Sequence, residues 1–166
     1  MKKKHQLKLV TLPEASLRQP SEKLRFPLPD NFQRIIDEMI RLCRKHNGVG
    51  IAAPQVGLNI RAVIINLEHL GVPPFPLINA EIVKYGKETE EQEEGCLSVP
   101  GKFARVARSK KVDVKAQNLE GGKIEFKAEG FLARVVQHEV DHINGVLFVN
   151  HLDSKLRDEL IEEFYK

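Results

Sequence analysis

Inside a largely apolar stretch, His138-Glu139-Val140-Asp141-His142 reads H-E-x-x-H. Residues four apart on a helix lie one turn above each other, so both imidazoles can reach a single ion. Glu139 falls about 100° round from His138 and about 60° from His142, by the 3.6-residue period. A carboxylate so placed stands beside an ion without ligating it. It can take a proton from water and return it to a leaving group. The competing reading is a pair of hydrogen-bonded core histidines with Glu139 in a salt bridge. Four ionisable residues in five, on an otherwise apolar helix, weigh against it. Burying them costs several kcal/mol unless they are paired or metal-bound.

Two imidazoles do not complete a hydrolytic centre, which usually takes three protein ligands and keeps one position open. Cys96, another histidine or an added carboxylate can supply the third. The residues after the motif, Asn144-Gly145-Val146-Leu147-Phe148, offer no histidine at the extended zinc-protease spacing. His151 is available but lies past the expected helix end. Cys96 follows a glycine in the strand-like segment Glu94-Gly95-Cys96-Leu97-Ser98, where a buried structural cysteine is an equally good reading.

The elements that must position these groups can be read from pattern. Phe131 to Asn144 is expected to be a helix, apolar round much of its circumference and therefore buried, closed by Gly145. Asp30 and Gln33 suggest a capping box ahead of an earlier helix. Its stripe is Phe32, Ile35, Ile36, Met39, Ile40 and Cys43, with Cys43 a small buried hydrophobe and Asn47-Gly48 the stop. Before it, Pro13, Pro20, Pro27 and Pro29 forbid a long helix. Ala62 to Ile65 reads as a strand, and Pro73, Pro74 and Pro76 are expected to break the chain before a strand from Leu77 to Tyr85. Arg105 to Asn118 alternates, and Glu120-Gly121-Gly122 is a hairpin turn leading back through Ile124 and Phe126. The acidic run Glu88 to Glu94 reads as a solvated strand edge or loop. A last helix from Asp153 carries Leu156, Leu160, Ile161 and Phe164 on one side. The expected class is α+β, with antiparallel strands packed around a central metal-binding helix and a helix towards each terminus.

The 166 residues fit a single domain, 1–166, in which about 70% of the unfolded surface is buried. Apolar content of 42%, charged content of 30% and a net charge of +3 describe an ordinary soluble globule. The early lysines Lys2, Lys3, Lys4 and Lys8 are read as a solvated start rather than a nucleic-acid site. No apolar run approaches the roughly 18 residues of a membrane span, and two cysteines are too few for a disulfide scaffold. The expectation is a cytoplasmic monomer.

Three separated segments resemble the signature motifs of the peptide deformylases, in the family's order. They are Gly48-Val49-Gly50-Ile51-Ala52-Ala53-Pro54-Gln55, Glu94-Gly95-Cys96-Leu97-Ser98 and Gln137-His138-Glu139-Val140-Asp141-His142-Ile143-Asn144-Gly145, with Leu17-Arg18 near the start adding to the likeness. The resemblance implies that Cys96, His138 and His142 hold one divalent ion, iron(II) by family similarity, with zinc, nickel or cobalt able to replace it. A thiolate beside two imidazoles suits such ions better than magnesium or calcium. It further implies that Glu139 moves the proton, while the Gln55 side chain and the Leu97 backbone N–H stabilise the oxyanion. Gly50 would pair its backbone with the substrate. Val49, Glu94, Gly95 and Val135 are expected around it, with Val49 and Val135 as apolar wall. Arg134 is a less obvious wall residue that can snorkel to the rim. The implied reaction removes the formyl group of N-formylmethionyl peptides as formate, with transient ribosome contact and no stable nucleic-acid binding. The alternatives are an H-E-x-x-H peptidase in which Cys96 is merely structural, and a non-catalytic metal-binding relative.

Overall fold

The structure, a computed structural model, describes residues 6–166, so Lys2, Lys3 and Lys4 lie outside the described residues. In chain order the elements are α1 (Phe32–Lys45), β1 (Gly50–Ala52), β2 (Ala62–Leu67), β3 (Val72–Tyr85), β4 (Thr89–Cys96) and β5 (Val99–Ser109). There follow β6 (Lys111–Gln117), β7 (Lys123–Glu129), α2 (Gly130–Ile143) and α3 (Ser154–Tyr165). Five strands form one antiparallel sheet in the order β1-β2-β3-β6-β7, while β4 and β5 make a separate hairpin. This is the α+β architecture expected from the sequence.

The sheet is covered on both faces, and β2 shows how the sequence specifies this. Ala62 and Ile64 pack with Phe32, Ile36, Met39 and Cys43 of α1, whereas Val63, Ile65 and Leu67 pack with Val136, Val140 and Ile143 of α2. The alternation is the two-residue period of a strand buried on both sides. A third cluster joins Leu12, Leu17 and Leu160 to Val99 and Val106 of β5. It ties the hairpin to both ends of the described chain.

Helix α2 is held most firmly at its carboxy-terminal end, beside the H-E-x-x-H turn. Gly145, at φ 76°, closes it: the Gly145 and Val146 N–H groups donate to the His142 and Asp141 carbonyls. That double return is the Schellman arrangement, which needs a left-handed residue at this position. Arg61 adds bonds to the Ile143 carbonyl (3.2 Å) and to Asn144 Oδ1 (2.9 Å). A buried cation there also suits the negative end of the helix dipole.

Several local expectations are corrected. Helix α1 has Asn31 at its cap without a side-chain cap bond, and Gln33 donates to Asp37 instead of completing a capping box with Asp30. The prolines do not break the chain before Leu77, because β3 runs through them. Pro76 pairs with Ile64, and the register shifts opposite Pro73 and Pro74, where ladder N–H groups are not required. The acidic run Glu88 to Glu94 is the solvated strand edge expected, largely within β4 and paired to β5, except that Glu94 is buried. Phe131 is 40% exposed, at the rim rather than in the core, and Leu156 is likewise exposed on α3.

Met39 is fully buried between α1 and the sheet, on the face away from α2. Met39→Ala is expected to lower unfolding stability by about 2–5 kcal/mol, read from urea midpoints. The metal bound per chain should stay unchanged.

Candidate metal centre

Three segments far apart in sequence meet at the floor of a cavity of about 750 Å³. Its lining includes Val49, Gly50, Gln55, Glu94, Gly95, Cys96, Leu97, Val135, His138 and Glu139. The residues singled out from the sequence are therefore together, save that His142 lies beneath His138 in the buried floor.

His142 Nε2 is 3.2 Å from His138 Nε2 and 3.3 Å from Cys96 Sγ. Tetrahedral coordination at ordinary metal–nitrogen and metal–sulfur lengths separates such donors by about 3.3–3.6 Å. All three ligand atoms lie within 4.8 Å of one another, as one ion requires. The His138 ring is oriented from behind: Nδ1 lies 3.0 Å from Glu94 Oε2, an acceptor, which fixes the proton on Nδ1 and turns Nε2 to the centre. Burial alone would lower His138, but contacts with Cys96 and Glu94 raise it well above its ordinary value. Burial and the His138 charge push His142 well below its own. The donor set favours a positive charge at one point, and its chemistry fits a divalent ion of intermediate softness.

Glu94 lines the cavity, but its carboxylate is committed to neighbouring side chains. Its carboxylate is buried and takes bonds from Arg108 Nε (2.9 Å) and Nη2 (3.0 Å), from Arg134 Nη1 (2.7 Å) and from His138. Burial would raise its pKa, but the bonds from His138 and Arg108 outweigh that and hold it well below the usual carboxylate range. Arg134 is a wall residue as expected, but at 6% exposure it does not snorkel to the rim and is ion-paired inside. His151 does not reach the donors either; it contacts Asp141 Oδ2, which also pairs with Arg108.

Glu139 is buried, and its Oε2 has no hydrogen-bond partner among the described residues. Burial pushes its carboxyl up to about 7, a value suited to giving and taking a proton near neutrality. Its side chain lies against Gly50, where a Cβ would come within 2.7 Å of the Glu139 Cγ and Cδ atoms. Gln55 is 1% exposed, and its Oε1 accepts from the Ala52 N–H at 2.9 Å. That bond settles the amide orientation, so Nε2 points to Ser98 Oγ (3.3 Å) and Cys96 Sγ (3.5 Å). Leu97 occupies the turn between Cys96 and Val99. The irregular amino-terminal segment braces both loops: Val10 N–H donates to the Gln55 carbonyl, Leu12 N–H to the Ser98 carbonyl, and Ser16 Oγ to the Pro54 carbonyl.

Sequence reasoning missed Arg108 and Phe103, and it gave Ser98 no role beyond its place in the second segment. Arg108 looks like one more cation on an alternating strand, and only the fold of the hairpin turns it inward to Glu94. Phe103, 62% exposed on the cavity wall, has no sequence signal apart from lying opposite Gly95 in the hairpin register.

The fold and this floor together define a metal-dependent hydrolase. Comparison with known proteins makes that class specific, since the family model for polypeptide deformylase matches residues 6–158. The chain belongs to that family. It is 39% identical over 164 residues to a peptide deformylase of Prochlorococcus marinus (strain MIT 9312), covering 96% of this chain and 81% of that protein. The crystal structure of a peptide deformylase from Legionella pneumophila superposes with a TM-score of 0.88 at 36% identity, covering 96% of this chain and 93% of the other. A Met-Ala-Ser-bound class I type b peptide deformylase from Acinetobacter baumannii superposes with a TM-score of 0.81 at 35% identity, covering 88% and 98% respectively.

Gly50→Ala should displace the Glu139 carboxylate while leaving the metal donors in place. The expected result is a fall in kcat of about 10²-fold with the metal content of wild type, checked by steady-state kinetics beside elemental analysis. The depressed pKa of Glu94 makes a second prediction. Its contribution to stability is whole above the ordinary glutamate value of about 4.3 and is lost as pH falls through the lower folded-state value. Urea midpoints of wild type and Glu94→Gln should therefore differ most near neutral pH, begin to approach each other below about pH 4.3 and meet only below the folded-state value.

Proposed function

We propose that this chain hydrolyses the formamide of N-formylmethionyl peptides, releasing formate and a free amino terminus. One observation carries the reading: an unpartnered, buried Glu139 carboxylate and the Gln55 amide nitrogen adjoin the Cys96–His138–His142 donors at the base of an open cavity. Cys96, His138 and His142 would hold a divalent ion, which would supply Lewis acidity for activating water and polarising a carbonyl. Iron(II) is the proposed native ion on family similarity, with zinc, nickel or cobalt as substitutes; the mixed thiolate and imidazole donors suit all of these better than magnesium or calcium.

Glu139 takes the proton of the attacking water on its free oxygen and passes it to the departing amine. Gln55 Nε2 and the Leu97 N–H donate to the formyl oxygen as it gains charge, each contributing about 3–4 kcal/mol. Gly50 presents bare backbone to the peptide, which would add as a short strand beside β1. Val49 and Val135, with Phe131 further out on the same face of α2, supply apolar wall for the methionine side chain. Glu94 serves this chemistry through His138, and Gly95 lines the opposite wall.

A peptidase with a merely structural Cys96 is disfavoured by the closeness of Sγ to His142 Nε2, and a non-catalytic relative by the retention of Glu139 and Gln55 beside the donors. The whole chain, 1–166, is read as one catalytic domain working as a monomer in the cytoplasm. Contact with the ribosome would be transient, and no stable nucleic-acid binding is expected. Among the described residues no helix is long and apolar enough to cross a membrane.

The test is formate release from formyl-Met-Ala-Ser by protein purified anaerobically with iron(II), beside Glu139→Ala. Wild type should turn over, and the variant should lose about 10²–10⁴-fold in kcat while still holding metal. No formate from folded, fully metallated wild type would overturn the reading.

A further inference from the structure

Arg134, His138 and His142 follow one another at four-residue steps on α2 and so share one stripe. The two histidines turn to the centre. Arg134, one turn earlier, turns to the hairpin, where its guanidinium touches both strands. Its Nη1 donates to Glu94 Oε1 (2.7 Å) and to the Val106 carbonyl (2.9 Å), and its Nη2 donates to the Glu90 carbonyl (2.6 Å). Arg134 and His138 thus hold opposite oxygens of the same carboxylate, because His138 Nδ1 meets Glu94 Oε2. Arg108 spans both oxygens from the side and pairs with Asp141. Two guanidiniums face two carboxylates, and removing Arg134 would take one cation from the buried Glu94 carboxylate.

The metal donors come from two separate bodies. His138 and His142 belong to α2, while Cys96 ends β4, six residues beyond Glu90 and two beyond Glu94. Nothing covalent near the centre fixes Cys96 against the imidazoles. Non-covalent contacts do so: Gln55 and the amino-terminal segment hold the Cys96 turn, and among the cross-links from α2 to the hairpin Arg134 grips β4 at two points on the approach to Cys96.

We infer that Arg134 is a positioning residue: it clamps β4 to α2 and thereby sets the Cys96 thiolate against the His138–His142 pair. The inference rests on the reading of these three residues as the metal ligands. The alternative is a structural staple whose loss weakens the fold and leaves the donor geometry as it was.

Cobalt(II) distinguishes the two, because its thiolate charge-transfer band reports sulfur ligation directly and its d–d intensity reports tetrahedral geometry. Wild type, Arg134→Met and Arg134→Lys would each be titrated with cobalt(II) against a competing chelator, with spectra and thermal unfolding recorded. In Arg134→Met the Kd for cobalt should rise about 10–100-fold, the range for residues that orient ligands, and the charge-transfer band should weaken. Arg134→Lys keeps a cation for Glu94 but cannot hold all three acceptors, so its Kd should fall between the other two. Wild-type Kd and wild-type spectrum in Arg134→Met, whatever its melting temperature, would overturn the inference. If Arg134→Met does not fold, Arg134→Lys carries the test, and a wild-type Kd there overturns it equally. Absence of cobalt binding by folded wild type would instead defeat the reading of the ligands themselves.

Discussion

The Glu94 carboxylate is the point to which the rest of the site is referred. It lies in an interior that charges its full desolvation cost, and it persists there because four donor contacts from three side chains satisfy it. Those side chains come from two elements. Arg108 belongs to the return strand of the hairpin, while Arg134 and His138 belong to α2 on either side of one turn. A buried carboxylate with a single partner would gain a proton or swing to solvent. With these three it is immobile, and His138 inherits a fixed ring plane and a fixed tautomer.

That arrangement explains why so small a centre draws on so much of the chain. Cys96 and Glu94 are two residues apart on β4, so the strand that supplies the thiolate also supplies the group that orients a histidine. The first motif is tied in by other means. Gln55 is locked by the Ala52 N–H, and the extended segment around Val10 and Leu12 bonds to both the Gln55 and Ser98 turns. An amino-terminal stretch without regular structure therefore acts as a strap between two of the catalytic loops.

The sequence was most legible where chemistry and periodicity coincide. His138 and His142 are fixed four apart by the helix itself, so their convergence needs no tertiary information. The ends of α2 and α3 were similarly open to reading, since Gly145 and Asp153 act through local backbone geometry. Cys96 was ambiguous from pattern alone, because a buried cysteine looks the same whether or not an ion is near. Arg108 and the true orientation of Arg134 were not legible at all. Both are long, charged side chains whose usual place is the surface, and their inward turn depends on one carboxylate from a distant strand. The proline-rich start of β3 misled for the opposite reason: a local rule was overridden by a register shift that removes the need for the missing N–H groups.

The closest fit in the site sets its reactivity. Glu139 carries a carboxylate into a place where burial makes charge expensive, and its free oxygen has nothing else to bond. Had residue 50 any side chain, the two could not occupy the same space. The missing Cβ at Gly50 thus makes room for the Glu139 carboxylate and leaves bare backbone at this position. A groove wall that must be smooth for an incoming peptide and hollow for a carboxylate admits only glycine. In the proposed reaction the same constraint would tie substrate alignment to proton transfer, because a shift of β1 relative to α2 would move both together.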